Sequence, residues 1–308
     1  MINKKKIILT AGVFVLIFLA VIFLGKKTDF PVKKETLKAG EIDKTRPVLR
    51  AAVAAMLSPK STREYYDDLL TLVGRKAGFS TEIVQRQTYS EINELLEHNE
   101  LDVAFVCSGP YVEGRKKFGM KLLAVPVVRG EKVYRSYILV NIESPVKSFK
   151  ELRGKKFAFV DPHSNTGFLV PKYMLAKMNE TPKSFFKETF YTYSHDKSME
   201  AVANNLTDGC AVDGLIWDFM KNAGSEITSK TKVIEKSPPY GIPPVVVNPS
   251  IKPELEEKLR GLFLTIHEDM EGKKILAELQ IDRFEEGFDT MYVSVSEMQD
   301  WINAQEKE

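Results

Sequence analysis

The sequence predicts an α/β protein of two lobes, each a mostly parallel sheet flanked by helices, preceded by one N-terminal transmembrane helix or signal anchor. Three observations carry that expectation. The chain has 308 residues, more than one compact core commonly holds. From Val48 onward, apolar runs of strand length alternate with amphipathic runs of helix length, and a second such series begins at Ser148. Alternation of this kind builds parallel sheets with right-handed crossovers. The third observation is an uncharged apolar run from Ile7 to Gly25 that belongs to neither series.

Lys4, Lys5 and Lys6 precede that run, which is long enough to cross a hydrocarbon core of about 30 Å as a helix. No polar face recurs at helical spacing, so a buried core helix is the poorer reading. A basic flank before an apolar run also describes a secretory signal, but no clean small-x-small cleavage site follows, and no cysteine near its end offers a site for lipid attachment. Residues 1–25 are therefore expected to be an uncleaved anchor, with Met1 in the cytoplasm and the body extracytoplasmic, in the periplasm or at the cell surface. Release after signal cleavage is the alternative, and Lys26 and Lys27 on the far side weaken the charge asymmetry. Residues 26–46 are polar and aperiodic, as a linker is.

Folded structure is expected from residue 47. "VLRAAVAAML" reads as a strand, "TREYYDDLLTLVGRKAG" as a helix ending at Gly78, "STEIVQRQ" as a strand and "SEINELLEHN" as a helix. "LDVAFVC" is an apolar strand, and Ser108, Gly109 and Pro110 after it read as an N-cap and first turn. "KLLAVPVV" and "VYRSYILVN" follow as strands. The second series runs through the strand "KKFAFV", a helix from Thr166 to Met178, the strand "FYTYS", the helix "DKSMEAVANNL" and the strand "CAVDGLI". "PPYGIPPVVVN" returns to a strand, and the chain closes in helices. Residues 47–140 form the first part of lobe 1 on this reading, 141–238 form lobe 2, and 239–308 complete lobe 1 with the C-terminal helices. The crossings fall near Ile138–Ile142 and Lys236–Ile242.

Composition narrows the function classes. With 44 basic against 42 acidic residues the formal net charge is +2, too small a field to mark a nucleic-acid binder. Cys107 and Cys210 show no zinc-type spacing; a bridge is possible in an oxidising compartment, and burial as isolated small apolar residues is the plainer reading. His98, His163, His195 and His267 fall in four different elements, so no metal cluster is expected. Nor does any motif call for a cofactor, and a monomer is the expected state.

The chemistry concentrates where strands end. "AAVAAML" runs into Ser58, Pro59 and Lys60; "DVAFVC" into Ser108; "FAFV" into Ser164, Asn165 and Thr166; "FYTYS" into Ser194 and His195. In open α/β sheets the ligand crevice lies outside the carboxyl ends of strands, so these segments should converge. A helix N-terminus has unpaired N–H groups that favour anions, and adjacent hydroxyls add donors without charge. Plain capping explains any single one of these residues. The segment "SNTG" carries more polar groups than one cap requires, which points to an oxyanion cradle. Tyr111, Tyr240, Asp213, Asp218, Lys60 and Arg135 are further candidates, each with a packing, capping or solvated alternative.

These stretches also resemble a known family. "LDVAFVCSGPYVEG", "SFKELRGKKFAFV", "VDPHSNTGFLVP", "YSHDKSMEAVANNLTDGCAVDGL" and "KSPPYGIPPVVVNPSI" are similar to segments of the substrate-binding components of phosphate, phosphite and phosphonate ABC transporters. That family has the type II periplasmic binding protein fold. The resemblance covers about residues 48–290 and implies that Ser164, Asn165 and Thr166 bind the oxygens of a phosphonate or phosphate. It also implies that Tyr111 lines the cleft, and that His195 and Asp213 stand near the ligand's other end. Ser58 and Ser108 join the candidate set as residues at strand ends. Asn165 departs from the family pattern, in which a hydroxyl residue is common at that place, and "MLSPKSTREYY" fits the first pocket loop only loosely.

The function implied is capture of a small oxyanion and its presentation to an ABC permease. A membrane-anchored sensor feeding a receptor kinase shares the pocket and differs in its partner. An enzyme on the same scaffold is the third reading. No nucleophile–base–orienter set or P-loop glycine motif supports it.

Overall fold

The computed structural model describes residues 45–305 apart from Ala55 and Leu57, all within one compact unit. The expected anchor and most of the linker lie outside the described residues. Among the described residues no helix is long and apolar enough to cross a membrane.

The elements follow in order as β1 (Val48–Val53), α1 (Pro59–Ala77), β2 (Ser80–Val84), α2 (Tyr89–Glu97), β3 (Val103–Phe105), α3 (Ser108–Phe118), β4 (Lys121–Val127), β5 (Val133–Tyr134) and β6 (Ser136–Asn141). Next come β7 (Lys156–Phe159), a wide turn at Asn165–Leu169, α4 (Val170–Ala176), β8 (Glu188–Tyr191), α5 (His195–Ala203), β9 (Gly209–Asp213) and α6 (Gly214–Asn222). The chain then forms β10 (Thr231–Lys236), β11 (Tyr240–Gly241), β12 (Val245–Val247), α7 (Pro253–Thr265), α8 (Met270–Glu278), β13 (Arg283–Glu285) and α9 (Val293–Gln305).

Two sheets define the lobes. The first has the order β13-β4-β12-β3-β1-β2 and the second β10-β6-β9-β7-β8. β1, β2 and β3 pair in parallel, as do β7, β8 and β9. The expectation of mostly parallel sheets needs correction at particular strands. β12 runs antiparallel to both β3 and β4, and β6 runs antiparallel to β9 and β10. Each is the strand by which the chain enters from the other lobe, so it arrives from the seam while the βαβ strands run toward it. β13 also pairs antiparallel, with β4.

The first crossing precedes its expected place. β6 already belongs to the second sheet, and the chain changes lobes at β5. There Tyr134 pairs with Tyr240 and Val133 with Gly241 in a separate two-stranded ribbon. This ribbon joins the lobes and forms the floor of the cleft between them.

Each lobe has its own apolar core. β3 and β12 are buried along their whole length, which suits Val-rich strands covered on both faces. Phe105, Phe263 and Phe284 meet edge to face beneath them, with centroids 5.1–6.0 Å apart. The second lobe is filled by Phe149, Phe157, Phe159, Phe185 and Phe186; the Phe157 and Phe186 rings stack at 4.4 Å. Cys107 lies in the first core, and both cysteines are free and buried.

Candidate functional site

The strand ends converge as the alternation predicts. Where β1 leads into α1, the Met56 carbonyl accepts from His195 N–H at 3.1 Å, and Ser58 N–H donates to Asp196 Oδ1 at 3.0 Å. Where β2 leads into α2, Tyr89 N–H donates to Asp161 Oδ2 at 3.1 Å. These bonds tie helix starts of lobe 1 to helix starts of lobe 2 across the cleft.

The centre of the site is Ser164–Gly167, entirely buried. Its geometry departs from an ordinary helix start. Leu169 N–H reaches the Ser164 carbonyl at 2.9 Å, an i→i+5 bond that widens the first turn before α4 begins at Val170. Ser164 Oγ accepts from Gly167 N–H at 3.0 Å. It caps the turn in this way and also bonds the Tyr89 side chain. Thr166 is held through its carbonyl, which accepts from Ser136 Oγ at 2.6 Å. Its hydroxyl has no partner.

Among the described residues, six buried side-chain N or O atoms lack a hydrogen-bond partner, and three of them cluster here: Asn165 Oδ1, Thr166 Oγ1 and Ser194 Oγ. Ser194 stands at the start of α5, after the strand next to β7. An unsatisfied buried polar group costs roughly 1–3 kcal/mol. Three of the six fall at the helix starts that follow the neighbouring strands β7 and β8.

Two tyrosines from lobe 1 and the ribbon close the site, and neither is among the candidates named from sequence. Tyr89 is the first residue of α2, fixed by a capping box in which Thr88 Oγ1 accepts from Glu91 N–H while Glu91 Oε2 accepts from Thr88 N–H at 2.8 Å. Its hydroxyl lies 3.4 Å from His195 Nε2. Tyr134, in the ribbon, accepts from Asn165 Nδ2 at 3.0 Å and lies 3.6 Å from Cys107 Sγ. Burial raises both phenols well above their ordinary range, so both remain neutral donors. The clue to Tyr89 was its place after a strand end, in "QTYSEI".

His195 is buried and Nδ1 accepts from Asp213 N–H at 2.9 Å. A backbone N–H can only donate, so the ring proton sits on Nε2, facing Tyr89. Burial pushes the imidazole down to about 3, which keeps it neutral. Nε2–H can therefore donate to the Tyr89 oxygen, leaving the phenolic proton to point into the cradle. Asp213 Oδ1 caps α6 by accepting from Leu215 N–H at 2.8 Å, and burial pushes its carboxyl up to about 7. It also lines a cavity of about 80 Å³ between the lobes, walled by Tyr65, Tyr66, Phe105 and Phe219.

Other candidates lie elsewhere. Ser108 is the first helical residue of α3, after Cys107 at the cap, and its hydroxyl donates to the Gly241 carbonyl at 2.6 Å. It braces the ribbon. Tyr111 turns away from the cleft into lobe 1, its hydroxyl bonded to Asp289 and its ring 4.6 Å from Tyr292. Ser58 Oγ lies 3.1 Å from Ser61 Oγ, so its main chain rather than its hydroxyl reaches lobe 2. Asp218 pairs with Arg129 at 2.9 Å, Arg135 donates to the Ser237 carbonyl at 2.8 Å, and Tyr240 reaches Met298 Sδ at 3.8 Å. No group of three or more His, Cys, Asp or Glu residues able to hold a metal occurs among the described residues.

The whole assembly has known counterparts. The family model of ABC transporter, phosphonate, periplasmic substrate-binding proteins matches residues 51–292. The phosphonates-binding periplasmic protein of Escherichia coli strain K12 is 24% identical over 267 residues, covering 85% of this chain and 79% of that protein. A phosphate-import protein of Mycolicibacterium smegmatis is 29% identical over 210 residues, covering 64% of this chain and 65% of its own length. The crystal structure of a binding component of an ABC phosphonate transporter from Pseudomonas aeruginosa superposes with a TM-score of 0.79 at 24% identity, over 84% of this chain and 87% of that one. With the family model matching more than half of the chain, this protein belongs to the family of periplasmic phosphonate-binding components of ABC transporters.

Proposed function

We propose that this chain captures a phosphorus oxyanion, a phosphonate, phosphite or phosphate, between its lobes and presents the closed form to an ABC permease in the membrane. The observation that carries the reading is the set of buried, unpartnered polar atoms of Asn165, Thr166 and Ser194, with the Tyr134 phenol bonded to Asn165 and the Tyr89 phenol beside His195. The groups around the cradle are hydroxyls, phenols, amides and a neutral imidazole, which bind an oxyanion by hydrogen bonds in a dry site. Ser164 and Thr166 supply hydroxyl donors from the helix start. Tyr89 supplies the donor oriented by His195. Asp213 stands beyond His195, toward the apolar cavity, where the rest of a phosphonate would extend.

The ligand's contacts with both lobes favour the closed form by its differential affinity for that form. A neutral imidazole held near 3 is a weak base, which supports a binding role without turnover. Residues 1–25 serve as an anchor and residues 26–46 as a tether for a monomeric body outside the cytoplasm; the run Ile7–Gly25 behind Lys4–Lys6 supports this. The binding lobes comprise residues 47–132 with 242–308, and residues 135–239, with the ribbon of β5 and β11 as their hinge.

Calorimetric titration with phosphate, phosphite, methylphosphonate, 2-aminoethylphosphonate and sulfate tests the reading. Micromolar or tighter binding of one phosphorus oxyanion, and none of sulfate, is expected. A folded protein silent across the panel would overturn it.

A further inference from the structure

A hydrogen-bonded pair of side chains joins the two lobes at the rim of the cleft. His163 Nδ1 lies 2.8 Å from Oε2 of Glu113. Glu113 sits on α3 of lobe 1, and His163 on the loop of lobe 2 that leads directly into Ser164. The loop is firmly shaped: His163 N–H donates to Asp161 Oδ1 at 2.8 Å, and Ser164 N–H to the Asp161 carbonyl at 2.9 Å. The backbones also meet closely, because a Cβ on Gly109 of α3 would lie 2.5 Å from the His163 carbonyl oxygen. Opening the cleft must separate His163 from Glu113.

We propose that His163 is a positioning residue: as an imidazolium paired with Glu113, it latches the cradle loop against α3, so that ligand affinity rises as pH falls. This rests on the oxyanion-binding reading. The charged groups around the ring are accounted for. On α3, Lys116 is paired with Asp300 of α9 at 2.9 Å and Lys117 with Glu97 at 2.7 Å. On α4, Lys172 lies over the Phe168 ring at 5.4 Å. Asp161, on the same loop, also favours the imidazolium.

The hydrogen bond that His163 donates to Glu113 raises the imidazole above its ordinary range, against the opposing effect of half-burial. The sign follows. The closed form, which has the Glu113 contact, binds the proton more tightly than the open form. Closure is therefore helped most below the open-form pKa, and that help is lost as pH rises through the raised closed-form value. The side chains are 39% and 40% exposed, so the effect is that of a partly solvated pair, about two- to fivefold in affinity.

The test is methylphosphonate titration of the full chain from about pH 5.5 to about pH 8.5, a window spanning imidazole ionisation, for wild type, Glu113→Gln, His163→Gln and the double variant. Ligand ionisation cancels in the ratio of wild type to variant. That ratio should stand at about two- to fivefold at the acid end and fall to unity at the alkaline end, with the double variant no worse than either single one. Ratios independent of pH, or additive losses, overturn the latch. A second arm uses no ligand: spin labels on Lys183→Cys and Lys258→Cys, exposed positions on opposite lobes, report the interlobe distance. Wild type should shift toward the short distance on acidification, and Glu113→Gln should not. Equal behaviour in this arm overturns the latch even if methylphosphonate binds. An intact shift with no oxyanion bound supports the latch and counts against the binding reading alone.

Discussion

Tyr89 and His195 come from opposite lobes and meet hydroxyl to Nε2 at 3.4 Å, behind a bond of 2.9 Å from Asp213 N–H to His195 Nδ1. This chain of donors runs one way, from backbone to imidazole to phenol, and ends with a proton aimed at the cradle. Tyr89→Phe keeps the buried ring and deletes that proton. Hydrogen bonds to charged groups are worth about 1.5–3 kcal/mol, so ligand affinity should drop by about ten- to a hundredfold, and the His195 Nε2–H left unpaired should lower stability by about 1–3 kcal/mol, seen as a fall in the urea midpoint. Calorimetry and denaturation on the same preparation check both halves.

Ser164 and Thr166 should separate stability from binding. Ser164 Oγ caps the turn through Gly167 N–H, so Ser164→Ala should lose about 1 kcal/mol of stability as well as affinity. Thr166 Oγ1 has no protein partner. Thr166→Val should therefore lose affinity with stability unchanged or improved, since an unsatisfied hydroxyl is removed. Equal stability losses in both variants would contradict this division.

Gly109 tests closure by bulk. A methyl at this position meets the His163 carbonyl oxygen at 2.5 Å and Asn165 N at 3.3 Å, both backbone atoms of the other lobe. Gly109→Ala should leave lobe 1 folded and hold the cleft ajar, with affinity lowered by at least about tenfold, as for a contact costing more than 1.4 kcal/mol. Small-angle scattering with saturating ligand should show a larger radius of gyration than wild type.

Asp213 and His195 pull stability in opposite directions with pH. Burial raises the Asp213 carboxyl to about 7, so its contribution is fully present below the unfolded carboxylate value and is lost as pH rises through about 7. His195, lowered to about 3, contributes above the unfolded imidazole value and loses that contribution as pH falls toward 3. Asp213→Asn keeps a capping oxygen for Leu215 N–H. It should flatten the alkaline limb of the stability profile and leave the acid limb in place, as read from urea midpoints at several pH values.

The polar helix start at Ser164–Gly167 was legible in the sequence because it is local. "DPHSNTG" follows an apolar strand and opens a helix, and such a junction has unpaired N–H groups whatever surrounds it. Ser108 and Tyr111 show where local reading stops. Both stand at the start of α3, but the face of a helix that meets a cleft depends on its rotation. Here Tyr292 and Asp289, far along the chain, hold Tyr111 inside lobe 1, and Gly241 takes the Ser108 hydroxyl. Tyr89 and Tyr134 took their places in the same nonlocal way. One required the helix start after β2 to meet Asp161 of the other lobe. The other required a ribbon of residues 133–134 with 240–241.

The sequence by itself determined the alternation of strands and helices, the return of the chain to its first lobe, and a hydroxyl-rich helix start suited to an oxyanion. Periodicity, capping and turn chemistry act over a few residues and can be read there. Only the tertiary structure decided that β12 and β6 run against their neighbours, that Tyr89 rather than Tyr111 faces the cradle, and that His163 meets Glu113 across the rim. Those outcomes depend on how two separately packed cores approach each other. That approach is set by contacts such as the bond from Ser58 N–H to Asp196 Oδ1, 138 positions apart, and no short stretch of the chain encodes them.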